Sequence, residues 1–296
     1  MATYGIPYQG SKSDIAEDII AHLPSGNRFV DLFGGGFAIS QCALLSFKWN
    51  QILYNDINPL LPVLIQDAIS GKYNYKNFKP PWISREEFSR LKKSDGWVKI
   101  CWSFGNDGET YLYGKEIEEL KHQAHDFCVS GTPIKGLDFQ VNTDDIHESR
   151  IALQKYTKET FDTEDYRNIQ LERTERLAKL EHLTRTERLV FTCGDYREYK
   201  YQDGDVVYCD IPYQNIYGNK ADDYGQNFDS GAFYAWAISR PYPVYFSSYS
   251  LGGVVWEADK TVTLCATSNS LQRREVLYCV DNNYRTPKRP GQNYLF

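Results

Sequence analysis

The feature of this sequence that most constrains its fold is an alternation of short apolar strands with helical segments. Near the start, Arg28–Phe33 and Gln51–Asn55 have the apolar run expected of a buried strand, and a helix-like segment follows each. Because alternating strands and helices pack as a mainly parallel sheet covered on both faces, the sequence predicts an α/β fold. Later in the chain the strand pattern returns at Leu189–Cys193, Val206–Asp210, Val244–Ser248, Val262–Ala266 and Val276–Val280.

The middle of the chain has a different pattern. Apolar residues recur with helical spacing over Ser84–Lys93, Glu116–Phe127 and Arg167–Leu183, and the loops between them are rich in Gly, Asn and Asp. We therefore predict an inserted, mostly helical domain over residues 71–185. Residues 1–70 and 186–296 would together form the α/β domain.

Composition narrows the choice of partner and compartment only in part. The 296-residue chain has a net charge of −6, which by itself disfavours a phosphate-rich partner, yet basic residues are concentrated in the runs 72–99 and 167–188. The start has no secretory pattern, and the seven scattered cysteines are typical of buried reduced thiols, so we predict a cytoplasmic protein. His122 and His125 lack a partnering ligand motif and are predicted to be surface histidines of a helix, so no metal is expected.

A glycine run follows the first predicted strand. That strand carries Asp31 and Phe33, and Gly34, Gly35 and Gly36 come before the next helix. Glycines at the carboxyl end of a parallel strand let a ligand approach the backbone closely. A tight turn without a ligand would use the same residues.

An acidic residue, Asp56, stands at the end of the second predicted strand. Its carboxylate can accept hydrogen bonds from both ribose hydroxyls of a nucleoside, and its distance from the glycines is typical of nucleotide-binding folds. Taken alone, Asp56 fits a helix N-cap equally well.

The stretch that says most about chemistry is Asp210-Ile211-Pro212-Tyr213, directly after a predicted strand. An adenine amino group has two N–H donors, and its lone pair is a poor nucleophile because it is delocalised into the ring. The Asp210 carboxylate and the Ile211 carbonyl can accept one N–H each and localise that lone pair, while the Tyr213 ring stacks on the base. An ordinary turn at the end of a strand is the alternative reading.

Together these motifs resemble those of the Dam-like, D12 class of adenine-specific DNA methyltransferases. The family's DPPY motif is similar to Asp210–Tyr213, its glycine loop to Asp31–Phe37 and its ribose-binding acid to Asp56. Its N-terminal motif of an aromatic residue and a lysine is similar to Tyr8 and Lys12. The resemblance covers residues 4–66 and 189–281, and the motifs stand in the family's order.

The resemblance implies a Rossmann-like methyltransferase sheet with S-adenosylmethionine as cofactor and no metal. It implies a monomeric, prokaryotic or phage-encoded enzyme that transfers a methyl group to the exocyclic N6 of an adenine flipped out of double-stranded DNA. The family's insertion holds the target-recognition domain, which corresponds here to residues 71–185.

The resemblance also assigns individual residues. Tyr8 and Lys12 would hold the methionine end of the cofactor, and Asp195 and Tyr196 would lie near its adenine. Arg273 and Arg274 are candidate contacts to DNA phosphates, with an ordinary solvated pair as the alternative. The residues expected around the cofactor are therefore Tyr8, Lys12, Asp31, Phe33, Gly34, Gly35, Gly36, Asp56, Asp195, Tyr196 and Asp210.

Three other functions are compatible with the same residues. One is methylation of the cytosine amino group, although those enzymes usually carry Ser where Asp210 stands, and another is methylation of RNA. The third is binding of cofactor or DNA without catalysis, because two positions depart from the family pattern: Ile211 replaces the first proline of DPPY and Phe37 replaces a glycine. We expect Ile211 to supply the carbonyl but to restrain the backbone less than proline does.

Overall fold

The computed structural model describes residues 3–212, 228–249, 258–264 and 275–281, except the side chain of Tyr249. The chain divides into two compact units. The first comprises Met1–Tyr4, Lys12–Pro59 and Glu187–Phe296, and the second comprises Gly5–Ser11 and Leu60–Thr186. The predicted domains, an insertion over residues 71–185 and an α/β domain over residues 1–70 and 186–296, remain a prediction.

The first unit contains a sheet that has seven strands within the described residues. The strands are β1 (Arg28–Asp31), β2 (Gln51–Asp56), β3 (Leu189–Cys193), β4 (Asp205–Cys209), β5 (Val244–Tyr249), β6 (Lys260–Thr263) and β7 (Glu275–Val280). Their order in the sheet is β3-β2-β1-β4-β5-β7-β6. β1 pairs in parallel with β2 and with β4, β3 pairs in parallel with β2, and β5 pairs in parallel with β4. β7 is antiparallel to both β5 and β6. The predicted α/β, Rossmann-like sheet is thereby confirmed.

Within the described residues of the first unit, three α-helices connect or flank these strands: α1 (Ala16–His22), α2 (Ala38–Leu45) and α9 (Ser230–Ile238). The chain runs from β1 through α2 to β2, on one side of β1 in the sheet. It runs from β4 through α9 to β5, which lies in the opposite direction along the sheet. Because such crossovers are right-handed in nearly all proteins, α2 and α9 lie on opposite faces of the sheet. The direction of strand succession reverses between β1 and β4, and ligands bind at the carboxyl ends of strands at such a reversal.

The central strands are buried along their whole length. Every residue of β1 and β4 is buried. One core cluster includes five side chains with no exposed area, those of Val30, Val207, Val244, Phe233 and Phe246. A fully buried Val or Phe side chain contributes about 1.5–3 kcal/mol relative to exposure. The core therefore fixes the strand ends that carry the candidate site.

The second unit is helical and contains α3 (Leu60–Ile69), α4 (Arg85–Leu91), α5 (Gly96–Cys101), α6 (Glu118–Ser130), α7 (Ile146–Phe161) and α8 (Ile169–Ala178). The sequence analysis did not predict α7, the longest of these. Its buried face includes Ser149, Arg150 and Thr157 beside Leu153, so the apolar spacing that marks a helix is weak. None of the described helices is both long and apolar enough to cross a lipid bilayer.

The prediction that His122 and His125 are both surface residues is wrong for His125, which is 1 % exposed. Its Nε2 lies 3.1 Å from the Pro80 carbonyl and its Nδ1 lies 3.2 Å from Nε2 of Gln170, so Nε2 donates and Nδ1 accepts. Burial lowers the pKa of His125 to about 4. The ring is therefore a neutral member of the core, and among the described residues no group of three or more His, Cys, Asp or Glu side chains could hold a metal.

Candidate active site at the carboxyl ends of the strands

Three carboxylates stand at the carboxyl ends of the central strands in the first unit. Asp31 ends β1, Asp56 ends β2, and Asp210 directly follows β4. These are the strands on either side of the reversal in strand order, so the topology places at one edge the residues that the sequence motifs singled out.

The glycine loop after β1 is held by the end of β2. The Gly34 N–H donates to the Asn55 carbonyl at 2.8 Å, and the Tyr54 hydroxyl donates to the Gly35 carbonyl at 2.8 Å. A Cβ at Gly34 would lie 2.2 Å from a carbon of the buried Tyr54 ring, which leaves no room for any side chain. Gly34 is therefore required by the close approach of this ring.

Asp56 is tied to the same loop. Its Oδ2 accepts the Gly35 N–H at 2.9 Å and its Oδ1 accepts the Asn58 N–H at 2.8 Å. Burial raises the pKa of Asp56, and these two backbone hydrogen bonds oppose the rise. Since α3 begins only at Leu60, the Asn58 bond forms a local turn and not a helix N-cap, and each carboxylate oxygen keeps a further acceptor site.

Phe37, which stands where the family has a glycine, adopts the backbone conformation of a glycine. Its φ is +68°, in the left-handed region, at an expected cost of roughly 1–3 kcal/mol. Its side chain is fully buried, with the ring centre 5.8 Å from that of Tyr54 and 6.0 Å from that of Phe191. Burial of the ring offsets the backbone strain, so the loop can hold the left-handed conformation at position 37 without a glycine.

Asp31 lies beneath the surface at the end of β1, with 1 % of its area exposed. Its Oδ2 accepts the Ser40 hydroxyl at 2.7 Å, whereas its Oδ1 has no hydrogen-bond partner of acceptable geometry among the described residues. Burial raises the pKa of Asp31 to about 7, and the charges of Asp210 and Asp56 add to the rise, while Ser40 and the Phe33 N–H act against it. Ionisation of this buried carboxyl therefore falls near neutral pH.

We expect Asp31→Asn to remove much of the pH dependence of stability between pH 4 and pH 7. The folded protein binds the Asp31 proton more tightly than the unfolded chain, so the free energy of unfolding falls as pH rises through this window. A pKa raised from 3.8 to about 7 corresponds to a fall on the order of 4 kcal/mol. Urea unfolding of wild type and variant at pH 4 and pH 8 measures it.

The control for this measurement is Asp203→Asn, which removes an exposed carboxyl of the same unit. We expect this control to keep the pH dependence of the wild type and Asp31→Asn to be more stable than the wild type at pH 8. Equal pH dependence in all three proteins would show that Asp31 ionises at its ordinary pH in the folded state.

A buried lysine contacts the Asp210 carboxylate. Lys12 Nζ lies 2.9 Å from Oδ1 of Asp210 and 4.0 Å from Oε1 of Glu275 on β7, and the Lys12 side chain is 7 % exposed. Two carboxylates thus share one cation. The sequence analysis predicted Lys12 and Asp210 as site residues, and the fold brings them into direct contact.

Ile211, which replaces the first proline of the family motif, is 3 % exposed and belongs to the core cluster with Val30 and Phe233. The Ile211 side chain is therefore held by packing, and a backbone less restrained than that of proline stays a prediction. Tyr213 and the predicted DNA contacts Arg273 and Arg274 lie outside the described residues.

Two further predicted cofactor residues meet in an aromatic group. The rings of Phe33 and Tyr196 are 5.1 Å apart, and Tyr196 packs edge-on against Trp236. Asp195, beside Tyr196, is paired with Arg197, whose Nε lies 2.9 Å from Oδ1, and this pair lowers the pKa of Asp195. Tyr8 belongs to the second compact unit.

Two polar residues near the strand ends were missed by the sequence analysis. Asn55 donates its amide protons to the carbonyls of Leu32 and Gly194, at 3.1 and 2.9 Å, and so connects the loops after β1 and β3. Ser247 on β5 is fully buried and donates to Oδ1 of Asp210 at 3.2 Å. The available signal was a polar side chain inside an otherwise apolar buried strand.

Comparison with known protein families identifies the family to which this chain belongs. The sequence profile of the D12 class N6 adenine-specific DNA methyltransferases matches residues 8–234, more than half of the chain and all the motifs described above up to the segment after β4. The chain belongs to this D12 class. As a member of the D12 class it is a methyltransferase, and enzymes of this kind generally use S-adenosylmethionine.

Two solved structures are also similar to this D12 protein, both of the rRNA methyltransferase aviRa from Streptomyces viridochromogenes, at 2.4 Å and 1.5 Å. Their sequence identities are 13 % and 12 %, their TM-scores are 0.33 and 0.32, and each match covers 90 % of this chain and 82 % of the other. These values are too low to support an argument about substrate.

Proposed function

We propose that this D12 protein methylates the exocyclic N6 of adenine in double-stranded DNA. The observation that carries the proposal is the Asp210 carboxylate, held by Lys12 at 2.9 Å immediately before Ile211-Pro212. A carboxylate followed by a carbonyl on a restrained backbone suits an amino group with two N–H donors. The name of the family supports adenine and DNA as the substrate.

The residues at the strand ends fit S-adenosylmethionine. Asp56 has acceptor capacity for a ribose diol, and Oδ1 of Asp31 is a buried acceptor without a partner among the described residues. The cofactor would supply an electrophilic methyl group on a sulfonium. We propose that Asp31, Asp56 and the Gly34–Gly36 loop hold it, together with Phe33, Asp195, Tyr196, Lys12 and Tyr8.

The residues of the chain would prepare the amino group for attack. Asp210 accepts one N6 hydrogen and the Ile211 carbonyl accepts the other, which localises the nitrogen lone pair out of the ring. As the new N–C bond would form, the bond between the methyl carbon and the sulfonium sulfur would break and leave a neutral thioether. The nitrogen would become positively charged and then lose one proton to solvent. The Asp210 carboxylate stabilises this developing charge, and the Lys12 ammonium, 2.9 Å from Oδ1, orients that carboxylate.

The inserted unit would bind the DNA. Several cations of this unit are paired internally, as Arg150 with Glu175 and Lys99 with Glu109, and contribute to the fold. We propose that exposed cations of this unit and the Arg273–Arg274 pair contact phosphates, while the unstacked base is flipped at a cost of a few kcal/mol. The exposed candidates are Lys76, Lys79, Arg90, Lys93, Lys115 and Lys179.

The test is incubation of the protein with tritiated S-adenosylmethionine and unmethylated genomic DNA. We expect label in N6-methyladenine for the wild type and for Asp203→Ala, which removes an exposed carboxyl, and none for Asp210→Ala. Label in cytosine, or in RNA when RNA is the substrate, would replace the proposed acceptor. Cofactor binding without label in any nucleic acid would leave a protein that binds and does not catalyse.

A further inference from the structure

Asp210 is supported by a chain of two hydroxyl groups inside the sheet. Ser247 Oγ lies 3.2 Å from Oδ1 of Asp210, and Tyr208 Oη lies 2.8 Å from Ser247 Oγ. Both Ser247 and Tyr208 are completely buried. Tyr208 is on β4 and Ser247 on β5, adjacent parallel strands, so the sheet itself fixes their separation.

The direction of the hydrogen bonds follows from counting protons. A carboxylate only accepts, so Ser247 must donate its single hydroxyl proton to Asp210. Ser247 then accepts from Tyr208, whose hydroxyl must be protonated. Burial and the charge of Asp210 raise the pKa of Tyr208 well above its ordinary value, which agrees with a permanent O–H donor.

The chain acts on one oxygen of the carboxylate. Oδ1 receives the Ser247 hydroxyl and the Lys12 ammonium, at 3.2 and 2.9 Å. Oδ2 has no partner among the described residues, and the Asp210 side chain is 21 % exposed. The donors on Oδ1 thus fix the rotation of the carboxylate and leave Oδ2 directed toward the open side.

We propose that Ser247 and Tyr208 are positioning residues that hold Asp210 so that Oδ2 accepts the amino hydrogen of the target base. The inference rests on the proposed methylation of an amino group. It makes β5 part of the catalytic apparatus through Ser247, a residue that acts on Asp210 and not on the substrate.

The test compares Ser247→Ala, Tyr208→Phe and the double variant with the wild type, with Tyr278→Phe as control because it removes a hydroxyl from a buried ring elsewhere in the sheet. A hydrogen bond to a charged group contributes about 1.5–3 kcal/mol, so kcat of Ser247→Ala is expected to fall about 10- to 100-fold. The KM for DNA and the Kd for S-adenosylmethionine stay within about twofold, since neither residue touches a ligand.

The double variant separates a relay from two unrelated effects. Because Tyr208 acts only through Ser247, the double variant is expected to be no slower than Ser247→Ala, within about twofold. Multiplication of the two single effects, or a Ser247→Ala kcat equal to that of the wild type, overturns the proposal. If Ser247→Ala does not fold, Tyr208→Phe and Ser247→Cys, which keeps a weak donor of similar size, are used instead. Both are expected to have a lower kcat than the wild type, and wild-type kcat in both overturns the proposal. A wild type that labels no amino group is a failure of the proposed function instead.

Discussion

Asp210→Asn should lose methyl transfer almost as completely as Asp210→Ala, although asparagine has nearly the same shape as aspartate. Oδ1 of Asp210 receives hydrogen bonds from Lys12 and Ser247. An amide has a single oxygen, and these two donors attract it, so the NH2 group takes the place of Oδ2. A donor then faces the amino group of the base.

The expected loss is large because an acceptor is removed and an unpaired donor is introduced together. A hydrogen bond to a charged group and a desolvated unpaired donor sum to about 4 kcal/mol, or a fall in kcat of about 10³-fold. Single-turnover methylation at saturating S-adenosylmethionine and DNA measures it. A variant that keeps a tenth of the wild-type rate would show that no carboxylate oxygen is needed at this position.

Asp205→Ala should lower the free energy of unfolding of the first unit by about 3–5 kcal/mol. Asp205 begins β4 and forms a bidentate pair with Arg28 at the start of β1, with N–O distances of 2.9 and 2.8 Å. Its Oδ2 also accepts the Gln202 N–H at 2.8 Å and the Tyr199 hydroxyl. Removing the carboxylate leaves a buried guanidinium without its partner.

Urea unfolding, together with hydrogen exchange of the β1 and β4 amides, assigns the loss to this unit. Glu159→Ala is the control, since its pair with Lys155 is exposed at both partners and should contribute no more than about 0.5 kcal/mol. Removing Arg28 as well, in Arg28→Met/Asp205→Ala, should recover part of the loss because no unpaired charge stays buried. Equal effects of Asp205→Ala and Glu159→Ala would contradict the assigned role.

The sequence predicted most of the strands because most are short apolar runs with sharp limits. The exception is β6, predicted over Val262–Ala266 and observed over Lys260–Thr263, where most side chains are exposed. Leu189–Cys193 was predicted with its observed bounds, and the carboxylate at the end of β2 was recognised from its distance to the glycines. Such signals are local. The pairing order of the strands depends on contacts between distant segments, and it was not predicted from the sequence.

The missed features depend on contacts between distant parts of the chain. Helix α7 buries Arg150, which pairs with Glu175, so its inner face is polar in the sequence. Ser247 is an ordinary serine in its own strand and becomes informative only when β5 lies beside β4. Burial of Asp31 and His125 likewise depends on the elements packed around them, which periodicity does not reveal.

The left-handed backbone at Phe37 limits how the glycine loop after β1 can change by mutation. A glycine would adopt φ +68° without strain, but here the ring of Phe37 fills the space beside Tyr54 and Phe191. Reversion to glycine alone would leave a ring-sized void, and a larger neighbour at position 54 or 191 would displace the ring. These three positions therefore form an epistatic set, in which each residue is tolerated only with the other two.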